Sequence, residues 1–183
     1  MIVRSKKHSS ELIKRLGLNG VPEEVFTRYN RETIEYFCDS NPASKYILRD
    51  LDNPSGKYFI CNSKDECINN AKEYNGAFSL AVSCFAYDDR ILLGEVLISN
   101  NRIVIGARND QGAHHRNIYD NPCINLDTDW DNKKLWTVNG VEEVFNYLTS
   151  KNIYDVIVEF VVFNHPVGVH NNRVLIVELR SNY

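Results

Sequence analysis

The last part of the chain constrains the fold most. Residues 155–163 (DVIVEFVVF) and 173–180 (RVLIVELR) are two β-branched, apolar runs. Between them lie Pro166, Gly168, Asn171 and Asn172, which are turn residues. Two such runs around such a turn predict a β-hairpin. Each run carries one glutamate, Glu159 in the first and Glu178 in the second. Side chains alternate along a strand. On that rule Ile157, Glu159, Val161 and Phe163 share one face, and Val156, Val158, Phe160 and Val162 form the core face. In the second run, alternation groups Val174, Ile176, Glu178 and Arg180 opposite Leu175, Val177 and Leu179. The two carboxylates then lie nearly opposite each other and repel unless a cation separates them. Three readings are open: a divalent metal holding a nucleotide's phosphates, an ion-pair cluster with Arg180, or plain solvent-facing positions.

The rest of the chain reads as mixed structure. Residues 1–44 read as an N-terminal helical segment, with Ser10 as an N-cap and Pro22 opening a second helix. Strands are expected near 46–51, 57–61, 78–85, 91–99 and 102–108, the last two joined by a turn at Asn100-Asn101. Helices are expected near 64–74 and 140–150. Ser63 followed by Glu66 is a capping-box pattern for the first of these. Residues 109–135 read as a long polar, aromatic loop. Strands that outnumber crossover helices predict an α+β domain over 45–183, with antiparallel-rich sheets and a few packed helices.

Composition excludes some classes. The chain has 183 residues, 43% of them hydrophobic and 25% charged. Its net charge of −3 argues against a broad nucleic-acid footprint. No apolar run reaches the roughly 18 residues of a membrane span. Five cysteines, none in a C-x-x-C spacing, suit reduced thiols and a cytoplasmic protein.

The basic residues Arg49, Lys57, Arg108, His115 and Arg116 flank the predicted strands and turns. Arg49 and Lys57 bracket the NPSG turn, as a phosphate clamp requires: fixed positive charge beside exposed backbone N–H groups. The two adjacent histidines, His114 and His115, would point opposite ways on a strand and do not suit a two-histidine metal site.

Taken in order, these features resemble the nucleotide-binding core of the ATP-grasp superfamily over about residues 45–183. The matching segments are KYILRD, NPSG, KYFICN, SKDECINNAKEY, FSLAVSCFA, ILLGEVLISNNRIVIGAR, HHRN, VEF and VELRSN. The resemblance implies an ATP-grasp-like fold with ATP and Mg²⁺ as cofactors. Arg49 and Lys57 would hold phosphates, and backbone around Val82 and Cys84 would meet adenine. Arg108 and Arg116 would stabilise a transferred phosphoryl. Glu159 and Glu178 would ligate the metal, with Asn182 as a third ligand. It departs from the family at Arg180, which stands where a metal-binding Asn is expected. The family's chemistry is acyl-phosphate formation followed by attack of an amine or thiol. The implied protein is therefore a nucleotide-binding ligase or phosphotransfer enzyme acting on a small-molecule or peptide acceptor. The alternative is a non-catalytic α+β module that keeps the fold for binding or homo-oligomerisation.

Overall fold

The computed structural model describes residues 2–53, 57–109, 122 and 124–182. The first elements are α1 (Lys6–Arg15), β1 (Glu23–Phe26), α2 (Arg31–Ser40), β2 (Tyr46–Asp50), β3 (Tyr58–Cys61), α3 (Lys64–Ala71) and β4 (Phe78–Val82). A short 3-10 turn over Cys84–Ala86 follows, then β5 (Arg90–Ser99), β6 (Arg102–Arg108) and β7 (Ile124–Asp129). After a second 3-10 turn at Leu135–Thr137 come α4 (Val141–Ser150), β8 (Val156–Val167) and β9 (Asn172–Ser181). The chain forms two compact units: Val21–Tyr87, and Met1–Gly20 together with Asp88–Tyr183. The antiparallel-rich α+β architecture expected from the sequence is the one observed.

The 21–87 unit holds a four-stranded antiparallel sheet in the order β1-β4-β2-β3. Its helices bury the stripes that their spacing dictates: Ile34, Phe37 and Cys38 from α2, and Cys67, Ile68 and Ala71 from α3. Phe78 stacks between Phe26 and Tyr74, with ring centroids at 5.2 and 5.3 Å. The Ser63 cap is present, its Oγ accepting from the Glu66 N–H at 3.2 Å. The Glu66 carboxylate returns to the Asn62 N–H at 2.8 Å, one residue before the position a capping box uses.

Pro22 does not open a helix. The residues behind it form strand β1 on an edge of this sheet, and the Pro22 carbonyl accepts from the Val82 N–H at 2.9 Å. Ladder bonds to β4 outweigh the local helix signal, and an edge position tolerates the missing proline N–H. The helix that follows is capped by Asn30, whose Oδ1 accepts from Thr33 N–H at 3.2 Å. Likewise α1 starts earlier than Ser10: Ser5 caps it, and Ser10 lies inside.

The other unit holds a five-stranded antiparallel sheet in the order β7-β6-β5-β8-β9. One face carries the core, where Val96, Ile105, Val158, Phe160 and Ile176 meet Leu12 and Ile13 of α1 and Val144 and Leu148 of α4. Strand β7 falls inside the stretch read as loop. Its sequence INLDTD is polar and only Ile124 is buried, so no apolar period marks it; its ladder to β6 makes it a strand. The β5–β6 hairpin turns at Asn100, whose φ of 48° is the left-handed conformation that Asn tolerates.

Strand β9 is the opposite edge, and the N-terminal segment covers it. Leu179 N–H donates to Ser9 Oγ at 2.7 Å, Ile176 N–H to Asn19 O at 2.7 Å, and Val3 N–H to Ser181 Oγ at 2.7 Å. Asn19 is fully buried. Its Nδ2 donates to the carbonyls of Val167 and Val174, both at 2.9 Å, and its Oδ1 accepts from His170 N–H at 2.8 Å. Covering satisfies an edge that is otherwise open to pairing with another chain.

Candidate functional site

The alternation that places Glu159 on the non-core face of β8 holds. The alternation applied to β9 does not. Glu159 pairs with Glu178, but the next residue, Phe160, pairs with Ile176. Val177 is therefore an extra residue, a β-bulge, which resets the facing of the strand. Val174 and Ile176 lie in the core with Leu179, whereas Glu178 and Arg180 lie on the Glu159 face. Ile176 does not share the Glu178 face as strict alternation requires. The bulge lets Ile176 and Leu179, three residues apart, both reach the core.

A third carboxylate joins the pair. Glu95 of β5 lies opposite Glu159 on its other side. Glu95, Glu159 and Glu178 thus form one row across three adjacent strands, which are spaced about 4.8 Å apart. The row is flanked on one side by Leu93, Val161 and Leu175, each at most 1% exposed. Glu95 is the acidic residue of the ILLGEVLISNNRIVIGAR hairpin but is not among the expected metal ligands. Its signal is the same as that of the other two: one glutamate in an apolar strand, RILLGEVLIS.

Arg180 supplies the counter-charge. Its Nη2 donates to Glu95 Oε1 and lies 3.3 Å from Glu159 Oε1. The side chain therefore reaches from β9 across β8 to β5. The Glu95 and Glu159 side chains are 11% and 14% exposed, and Arg180 is 41% exposed with its Nε buried and unpartnered. Burial, with the Glu178 charge next, pushes the Glu159 carboxyl up to about 7; Glu95 adds to this, and Arg180 and Lys6 oppose it without prevailing. Near neutral pH this carboxyl is close to half protonated.

This donor set does not fit Mg²⁺. A divalent ion needs carboxylate oxygens turned toward a common centre. Here Glu95 and Glu159 turn toward the Arg180 guanidinium instead. Among the described residues, no three His, Cys, Asp or Glu side chains converge as a metal ligand set. Asn182 is exposed beyond the end of β9 and does not extend the row. Of the expected set, Glu159 and Glu178 lie side by side with Glu95, Arg180 reaches Glu95 and Glu159, and Asn182 lies beyond the row.

Arg108 belongs to the same sheet, half-buried at the end of β6 opposite Leu93. Arg116 and the histidine pair lie outside the described residues, as do Pro54, Ser55 and Gly56 of the NPSG turn. The remaining candidates belong to the 21–87 unit. Arg49 is half-buried on β2 between Tyr58 and Ser79. Lys57 is exposed and lies 3.5 Å from Glu73. Val82 ends β4, buried, and Cys84 is buried in the turn after it. The N–H groups there are engaged: Val82 to Pro22 O at 2.9 Å, Ser83 to Lys45 O at 3.0 Å and Phe85 to Ser83 Oγ at 3.2 Å. Cys38, Cys61, Cys67 and Cys84 are buried thiols. No helix among the described residues is long and apolar enough to cross a membrane.

No family model matches the sequence, and no curated protein matches it. Solved structures do match by shape. The D-alanine-D-alanine ligase from Coxiella burnetii aligns over 98% of this chain and 48% of its own, with a TM-score of 0.53 and 12% identity. The D-alanyl-alanine synthetase A from Vibrio cholerae aligns over 98% and 55%, with a TM-score of 0.53 and 9% identity. The N5-carboxyaminoimidazole synthase from Aspergillus clavatus, solved with ADP and 5-aminoimidazole ribonucleotide, aligns over 99% and 45%, with a TM-score of 0.54 and 12% identity. This chain spans about half the length of each. These are ATP-grasp enzymes, and at such identities the likeness concerns the fold alone. Its two antiparallel sheets, its helices and its match over nearly the whole chain give this protein an ATP-grasp-like fold.

Proposed function

We propose that this chain is an ATP-grasp-like nucleotide-binding protein, and that its ligand is ATP or ADP. The observation that carries the reading is the ATP-grasp-like fold over nearly the whole chain. Three carboxylates in one partly buried row oppose folding. A stability role alone would be served better by apolar residues, which supports reading the row as part of a functional site. ADP in the Aspergillus clavatus synthase is consistent with this ligand class.

In this reading Arg49 and Lys57 contribute positive charge for the phosphates, and Arg108 and Arg116 are the residues assigned to stabilising a transferred phosphoryl. The backbone around Val82 and Cys84 offers adenine its carbonyls, because three of the N–H groups there already bond within the unit. The ligase activity of the neighbours is the finer form of the proposal: joining a small-molecule or peptide acceptor to a carboxylate at the cost of ATP. No step through Mg²⁺ is assigned, since the acidic row does not fit the ion.

The bridging of Glu95 and Glu159 by Arg180 favours a second reading, in which the fold is kept as a non-catalytic binding or oligomerising module. Thermal unfolding with ATP or ADP, in Mg²⁺ and in EDTA, separates the two. A nucleotide at ~100 times its Kd adds about 2.7 kcal/mol and raises Tm by several degrees. An unchanged Tm in millimolar nucleotide, with no heat of binding by calorimetry, would overturn the nucleotide reading and leave the module.

A further inference from the structure

We propose that Arg180 is the built-in cation of the acidic row and excludes a divalent metal from it. The inference does not rest on nucleotide binding. Three features of the row carry it. First, Glu95, Glu159 and Glu178 are in register on three neighbouring strands, so they need a counter-charge held between them. Second, one nitrogen of Arg180 contacts an oxygen of Glu95 and an oxygen of Glu159, so a single cationic group answers both buried carboxylates. Those oxygens cannot at the same time sit at the ~2.1 Å that Mg²⁺ requires. Third, the guanidinium is held in place. The bulge at Val177 puts Glu178 and Arg180 on the acidic face while Leu179 between them is locked in the core. Arg180 Nε is buried although the side chain as a whole is 41% exposed, so the stem lies down against the sheet.

A guanidinium also differs from a metal in what it permits. It is permanently charged, donates in a fixed plane and does not exchange with solvent ions. The row is therefore neutralised in part at all times, whatever the divalent cation concentration.

The probe is Mn²⁺ alone, followed by electron paramagnetic resonance of the free ion, on the full chain without nucleotide. Wild-type protein is expected to leave Mn²⁺ free at millimolar concentration. Arg180→Asn removes the charge and adds an oxygen ligand, and is expected to tighten Mn²⁺ binding by about tenfold or more. Arg180→Lys keeps the charge and is expected to bind no better than wild type. Adding Glu159→Gln to Arg180→Asn should reverse the gain. Wild-type binding that is lost in Glu159→Gln would overturn the proposal, and so would an Arg180→Asn protein that binds Mn²⁺ no tighter than wild type. The wild-type titration decides the matter even where Arg180→Asn does not fold. Because no nucleotide is present, neither outcome bears on whether ATP binds.

Discussion

Glu159 on β8 and Glu178 on β9 face each other in register, and a bulged Val177 immediately precedes Glu178 on β9. Without the bulge, a strand with Glu178 turned to Glu159 would turn Ile176 out of the core as well. The bulge thus reconciles an acidic face with a continuous core, and the predictions below test its parts.

Glu159 ties stability to pH. Its carboxyl is raised from the usual 4.5 to about 7 by burial and by Glu178. The folded protein therefore binds more protons than the unfolded chain between these values, and stability falls as pH rises through that window. The full shift corresponds to as much as ~3 kcal/mol at about 1.4 kcal/mol per unit. Urea denaturation from pH 5 to pH 8 should show wild type losing stability while Glu159→Gln holds it. Parallel profiles for the two proteins would refute the assignment.

Arg180→Met removes the bridge while keeping most of the stem. Its cost is expected near 2 kcal/mol at pH 8, between the ~1 of an exposed pair and the ~3–5 of a fully buried one. At pH 5, where Glu159 is mostly protonated, the same substitution should cost less. A pH-independent loss would mean that the stem's packing, not the charge, is what matters.

Asn19→Ala strips the side chain that ties the turn end of the β8–β9 hairpin to the N-terminal segment. The buried carbonyls of Val167 and Val174, the part-buried carbonyl of Asn172 and the part-buried His170 N–H lose this partner. A loss of about 2–4 kcal/mol is expected from such orphaned groups. Hydrogen exchange should show the His170 amide losing protection first. An unchanged denaturation midpoint would show that the clamp is dispensable.

Gly94→Ala tests the strand beneath Glu95. A Cβ at Gly94 would run into the Gly106 carbonyl oxygen and lie 2.6 Å from the Ala107 Cβ. The first is backbone in a paired strand and cannot move alone. A destabilisation of ~2–3 kcal/mol or more follows, the upper range for overpacking. Gly17→Ala has open space at its Cβ and meets only the cost of its φ of 61°, so it serves as the milder comparison.

Much of this fold is legible from local pattern. The 102–108 strand, the turn at Asn100, the helix of 141–150 and the closing hairpin follow from periodicity and turn chemistry, which act between near neighbours. The same logic singles out Glu159 and Glu178, because a charge in an apolar run stands out without knowledge of its partners. Strands β1 and β7 carry no such signal. Their polar sequences become strands only through ladder bonds to β4 and β6, which lie outside their own sequence windows. The bulge at Val177 is decided in the same way, by the need to seat Ile176 and Leu179 in one core. The company of Glu95 and the reach of Arg180 across β8 depend on strand order, β5-β8-β9, which no window of sequence contains. Local sequence determined which residues carry charge into the sheet. Only tertiary pairing decided that three of them form a row and that an arginine spans it.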